Sequence, residues 1–100
     1  MSVTVIATLH AADGKRDELL EAVCRAVPAV LLEEGCLQYA PHTVGRDRVL
    51  LVESWASPEA LRVHGESASL AAFRDATSHL LAAPTEVVVA RPVEVPAVDA

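Results

Sequence analysis

The sequence predicts an α+β fold, a ferredoxin-like split βαβ sandwich in which four antiparallel strands carry helices on one face. Three observations predict it. The apolar period switches between two and about 3.6 in the order β, α, β, β, α, β. Turn and cap signals fall at each switch. The 100 residues are 52% hydrophobic but only 3% aromatic, which suits one core built from Ala, Val and Leu.

Ser2 to His10 alternates, with Val3, Val5, Ala7 and Leu9 on one side and Thr4, Ile6, Thr8 and His10 on the other, which is a strand. Asp13-Gly14 is a turn, and Asp17 and Glu18 then place negative charge in a first helical turn. Leu19, Leu20, Val23, Val27, Val30 and Leu31 form the apolar stripe of that helix. Pro28 lies inside the stripe, where the missing donor predicts a kink or a restart, and Gly35 ends the helix. Cys36 to Thr43 and Arg48 to Trp55 read as two strands joined around Gly45-Arg46-Asp47. Ser57-Pro58-Glu59 is a helix start with Ser as N-cap, running to about His64. After Gly65, Ser67 or Ser69 can cap again, and Leu70, Phe73, Thr77, Leu80 and Leu81 line one side of a further helix that Pro84 closes. Glu86 to Arg91 is the last strand, and positions 92–100 form an extended, proline-spaced tail. The whole of 1–100 reads as a single domain.

A fold with helices on one sheet face leaves the other bare. Thr4, Ile6 and Thr8, or their opposites, with Leu50 and Val52 make that face too apolar for water, so a second copy is expected to cover it. The net charge of -6 argues against nucleic acid or an anionic membrane as partner. No apolar run is long enough to span a bilayer, and Met1 leads straight into a strand without signal-peptide features, so a cytoplasmic location is expected. Cys24 and Cys36 show neither disulfide nor zinc spacing and read as small buried thiols, and the four histidines show no metal-binding spacing. No phosphate-cradling glycine loop is present. No cofactor and no metal are expected.

The segment VPAVLLEEGCLQYAP, Val27 to Pro41, resembles the helix end and second strand of quinol monooxygenases of the antibiotic biosynthesis monooxygenase superfamily. Gly14-Lys15, Glu53-Ser54-Trp55, and Ala60-Leu61 followed by His64 also match that family's usual places, so the resemblance covers nearly the whole chain. It implies a homodimer forming a dimeric α+β barrel, with a hydrophobic pocket in each subunit between sheet and helices. The activity implied is oxygenation of a quinol or polycyclic phenol by dioxygen without flavin or metal. Binding without catalysis, and haem binding or degradation through His64, are the alternatives. Two features depart from the family pattern. Ala7 and Leu51 stand where some relatives use an asparagine, and Ala68-Ser69 stands in place of a Pro-His pair.

Glu53 and Trp55 share the parity of Val49 and Leu51 and so face one side of the sheet. A carboxylate on an apolar strand face must reach solvent, bind a partner, or carry a raised pKa. Trp55 either walls the pocket or is the largest core residue. His64, at a helix break, is suited to act as a base, with Glu53 orienting it or sharing its proton, or else is a solvated cap. Tyr39, Leu51, Ala7 and Phe73 complete the expected substrate-binding set, although parity leaves open whether Tyr39 lines the pocket or packs on the first helix.

Overall fold

Alternation on two strands decides which face of the sheet holds the core. Along β1 (Val3–His10) every odd residue is buried, and along β3 (Arg48–Trp55) Val49, Leu51, Glu53 and Trp55 are buried. The computed structural model describes residues 1–98. Its remaining elements are α1 (Arg16–Leu31), β2 (Cys36–Val44), α2 (Pro58–Gly65), α3 (Ala68–Thr77), a 3-10 turn at Ser78–Leu80, and β4 (Glu86–Ala90). The strands form one antiparallel sheet in the order β2-β3-β1-β4. The architecture is the α+β, ferredoxin-like one that the patterning predicts.

Register places Val5 opposite Glu53 and Ala7 opposite Leu51, with Tyr39 beside Glu53, so all five project from the helix-covered face. Leu19, Val23 and Val30 of α1 and Phe73 of α3 close the core over them. The opposite face carries Thr4, Ile6, Thr8, Leu50 and Val52, all half-buried, together with the exposed Val88 opposite Ile6.

The structure corrects four details. Helix α1 runs through Pro28 to Leu31 without restarting. The proline lies in its last turn, and the carbonyl it leaves free, four residues back, belongs to the exposed Cys24, where water can satisfy it. Cys24 itself is exposed, one position past the buried Val23, and Cys36 is only partly buried. Helix α3 stops at Thr77, whose hydroxyl donates to the Phe73 carbonyl at 2.8 Å and competes with continuation of the ladder, so Leu80 lies in the 3-10 turn and Leu81 beyond it. Strand β4 ends at Ala90, and residues 91–98 are exposed without regular structure. The last two positions of the expected tail lie outside the described residues.

One corner depends on glycine. Gly35 has φ +82°, and a Cβ there would sit 2.6 Å from the Ala60 Cβ of α2. Its carbonyl accepts from the Ala56 N–H at 2.8 Å, which ties the end of α1 to the end of β3. This close approach brings Glu33 toward α2.

Candidate functional site

A cavity of about 450 Å³ lies between the inner face of the sheet and the helices, within the range of small-molecule sites. Val5, Ala7 and Leu51 form an apolar wall on the strands, with Tyr39 and Glu53 on the same side. Phe73 and Leu70 from α3 and His64 from α2 face them. Six of the seven residues singled out by sequence therefore meet at one cavity: Ala7, Tyr39, Leu51, Glu53, His64 and Phe73.

The seventh, Trp55, stands behind this lining. It is fully buried, and its indole lies 4.3 Å from the His64 ring, centroid to centroid, with the planes tilted by 31°. Its Nε1–H donates to Glu53 Oε1 at 3.0 Å. Trp55 thus fixes two cavity residues at once, the imidazole by stacking and the carboxyl by a hydrogen bond. Tyr39 also meets the His64 ring edge-on, with centroids 5.9 Å apart.

His64 is 5% exposed, and its Nδ1 lies 2.9 Å from Glu33 Oε2. Glu33 was not foreseen, since it comes from the chain 31 residues earlier. A carboxylate only accepts hydrogen bonds, so this contact favours, for the neutral ring, the tautomer with its proton on Nδ1 and its lone pair on Nε2. Nε2 makes no hydrogen bond within the described residues, where no buried side-chain nitrogen or oxygen is without a partner, so it is not sealed off, and its ring lines the cavity.

Three hydroxyl contacts hold the Glu33–His64 pair. Ser69 Oγ donates to Glu33 Oε2 at 2.7 Å, and Ser67 Oγ approaches the same oxygen at 3.4 Å. Ser67 also donates to the His64 carbonyl at 2.8 Å and accepts from the Leu70 N–H at 3.1 Å as the cap of α3. The serine at position 69 therefore contacts the carboxylate that grips the histidine. The Glu33-Glu34 pair at the end of α1 and the Ser67-x-Ser69 cap were the only signals in the sequence, and neither fixes a partner.

Glu53 does not hydrogen-bond to His64. It is 5% exposed, and burial pushes its carboxyl up from the ordinary range, against the opposing pull of the Trp55 hydrogen bond and the nearby imidazole, with Glu33 adding to the rise. Burial, then the Glu53 and Glu33 carboxylates, raise the Tyr39 phenol well above its usual value, so it stays a neutral hydroxyl. A second depression, of about 500 Å³, lies between α1 and α3. It is lined by several alanines with Glu21 and Arg25, which neutralise one another as an ion pair. Among the described residues, no group of three His, Cys, Asp or Glu side chains is placed to hold a metal ion.

The sequence profile of the family described as antibiotic biosynthesis monooxygenase matches residues 2–76, which span all of this site up to Phe73. The chain belongs to that family. The protein of Escherichia coli K12 described as "Probable quinol monooxygenase YgiN" is 30% identical over 86 residues, covering 74% of this chain and 83% of its own. Among solved structures, Rv0793 of Mycobacterium tuberculosis superposes with a TM-score of 0.85 at 24% identity, covering 97% of this chain and 100% of its own. PA3566 of Pseudomonas aeruginosa does so with 0.82 at 26% identity, covering 93% of this chain and 95% of its own. The antibiotic biosynthesis monooxygenase fold and a monooxygenase-type family are thereby fixed.

Proposed function

We propose that this protein is a cofactor-independent monooxygenase that oxidises a quinol or polycyclic phenol with dioxygen, with His64 as its base. The observation that carries the reading is the part-buried Glu33–His64 pair, whose imidazole lines an apolar cavity and leaves Nε2 without a partner among the described residues. The curated relative named as a quinol monooxygenase supports the substrate class.

In the reaction, His64 Nε2 takes a proton from one quinol hydroxyl, and Glu33 stabilises the resulting imidazolium. The electron-rich anion passes one electron to dioxygen, giving a semiquinone radical and superoxide, which combine through a new C–O bond. Breaking the O–O bond of that peroxide releases water and leaves a hydroxyquinone, so quinol plus dioxygen balances hydroxyquinone plus water. The protein's part is to bind the quinol in a dry site, remove the proton and steady the anion. Tyr39, as a neutral phenol, is a donor for the anion, Glu53 is a protonatable group at the same end, and Ala7, Leu51 and Phe73 bound the rings.

A non-catalytic ligand-binding role is the second reading, favoured by Ala7 and Leu51, which offer no side-chain donor along the middle of the sheet wall. In either case we propose a homodimer formed through the face carrying Ile6, Leu50, Val52 and Val88, which the helices leave uncovered. A monomer in sedimentation at micromolar concentration contradicts the dimer.

Oxygen uptake with a panel of quinols, corrected for their spontaneous oxidation, tests the activity. The expected product from ¹⁸O₂ carries one labelled oxygen, with the other in water. If no quinol is consumed faster than in buffer while several bind, the site is a binding site and the monooxygenase reading is wrong.

A further inference from the structure

The cavity differs in character along its length. His64 and Glu53 are buried at one end, whereas Arg74, Ser78 and Thr85, which also line it, are exposed. The sheet register separates these ends. Glu53 lies opposite Val5, whereas Thr85 directly precedes Glu86, which lies opposite Thr8, so roughly 10 Å of strand intervenes. The helix wall agrees. Ser67 caps α3 beside the Glu33–His64 pair, and Arg74 follows seven residues later, about 10 Å along the axis.

Arg74 stands apart from most other cations of the chain. Lys15, Arg16, Arg25, Arg48 and Arg62 each have a carboxylate oxygen within 4.0 Å, and Arg74 has none among the described residues. Among the cavity-lining side chains it alone carries a permanent positive charge. Its place in the last turn of α3 suits the helix dipole, which accounts for a cation there but not for its position at the mouth of an apolar cavity. A guanidinium offers a planar fork of donors matched to a carboxylate, and the Ser78 and Thr85 hydroxyls lie at the same end. A molecule filling this cavity therefore meets a proton acceptor at the buried end, apolar walls in the middle, and an unneutralised cation at the mouth.

We propose that Arg74 is the anion-recognition subsite of the cavity. The ligand is then a hydroxylated fused aromatic compound bearing a carboxylate at the end opposite its reacting hydroxyl. This rests on the reading of the cavity as a quinol or phenol site, and it adds the substrate's charge and the order of its groups along the long axis.

Calorimetric titration of the whole protein with 6-hydroxy-2-naphthoate and with 2-naphthol tests it, since the two differ only in a carboxylate placed across the ring system from the hydroxyl. The carboxylate is expected to bind about fivefold tighter at low salt, the worth of one partly exposed ion pair, with the preference shrinking as salt is added. Arg74→Gln should bring the ratio of the two affinities to about one, and Arg74→Lys should restore part of it. Equal affinities in the wild type, a preference that survives Arg74→Gln in a variant with an unchanged melting curve, or no binding of 6-hydroxy-2-naphthoate at millimolar concentration would each overturn the proposal. Because the readout is affinity, failure of the oxygenation reading is separately visible as an intact preference without oxygen uptake.

Discussion

The two walls of the cavity are built on different principles. The sheet wall is apolar apart from Tyr39 and Glu53, and its one carboxyl is held by a single donor, the Trp55 indole. The helix wall carries a chain of polar contacts running from Ser69 and Ser67 through Glu33 to His64. The part-buried Glu33 gathers several donors and orients its partner, while Glu53, desolvated with a single donor, has its carboxyl pushed toward the protonated form. The helix wall therefore places the base, and the sheet wall sets the shape and dryness in which it works.

The largest expected effect attacks the corner that joins the walls. Gly35→Ala forces a left-handed φ on an alanine and drives its Cβ against Ala60, so we expect a loss of about 3 kcal/mol, read as a shift in the urea midpoint. A loss below about 1 kcal/mol would mean that α2 moves aside easily and that the corner does not set the distance from Glu33 to His64.

On turnover, His64→Ala should cost roughly 10²-fold with the fold intact, and raising the pH should restore part of the rate as the quinol ionises unaided. Glu33→Gln keeps the shape of the pair but removes the charge that stabilises the imidazolium, and its amide can present either oxygen or NH2 to Nδ1, so a loss of about tenfold in kcat is expected. A Glu33→Gln enzyme as fast as wild type would reduce the helix-wall network to a structural role.

The smallest effect belongs to Glu53. Its carboxyl is raised by burial, so the folded protein keeps that proton at pH values where the unfolded chain has released it, and this group's contribution to stability is lost as pH rises. Glu53→Gln retains an oxygen for the Trp55 N–H and cannot ionise. Its melting temperature relative to wild type should therefore climb between pH 5 and pH 8. A difference that stays flat would mean that the Glu53 carboxyl keeps its ordinary titration.

The sheet wall was legible from sequence because a period of two assigns faces without knowledge of partners. The parity of Val49, Leu51, Glu53 and Trp55 puts all four on one side of the sheet, and burial makes that the core side. Parity does not tell a cavity-facing residue from one behind it, so it leaves Trp55 as either a pocket wall or the largest core residue, and the indole stands behind the lining as a support for His64 and Glu53. The helix wall was far less legible. His64 could be singled out by its place before Gly65, but its partner lies at the end of another helix, brought near by the Gly35 corner. Glu33 sits in an acidic pair that reads equally well as a solvated helix end. Helix α3 was overextended because the apolar spacing continues through Leu80 and Leu81, while the Thr77 hydroxyl bond that ends it depends on geometry.

The most direct test of the base is the protonation of the His64 ring itself. Long-range ¹H–¹⁵N correlation spectra of the neutral imidazole should show Nδ1 protonated and Nε2 bare in the wild type, with that preference weakened in Glu33→Gln, whose amide can present oxygen or NH2 to the ring. A neutral ring protonated at Nε2, unchanged by Glu33→Gln, would contradict a Glu33-oriented base facing the cavity.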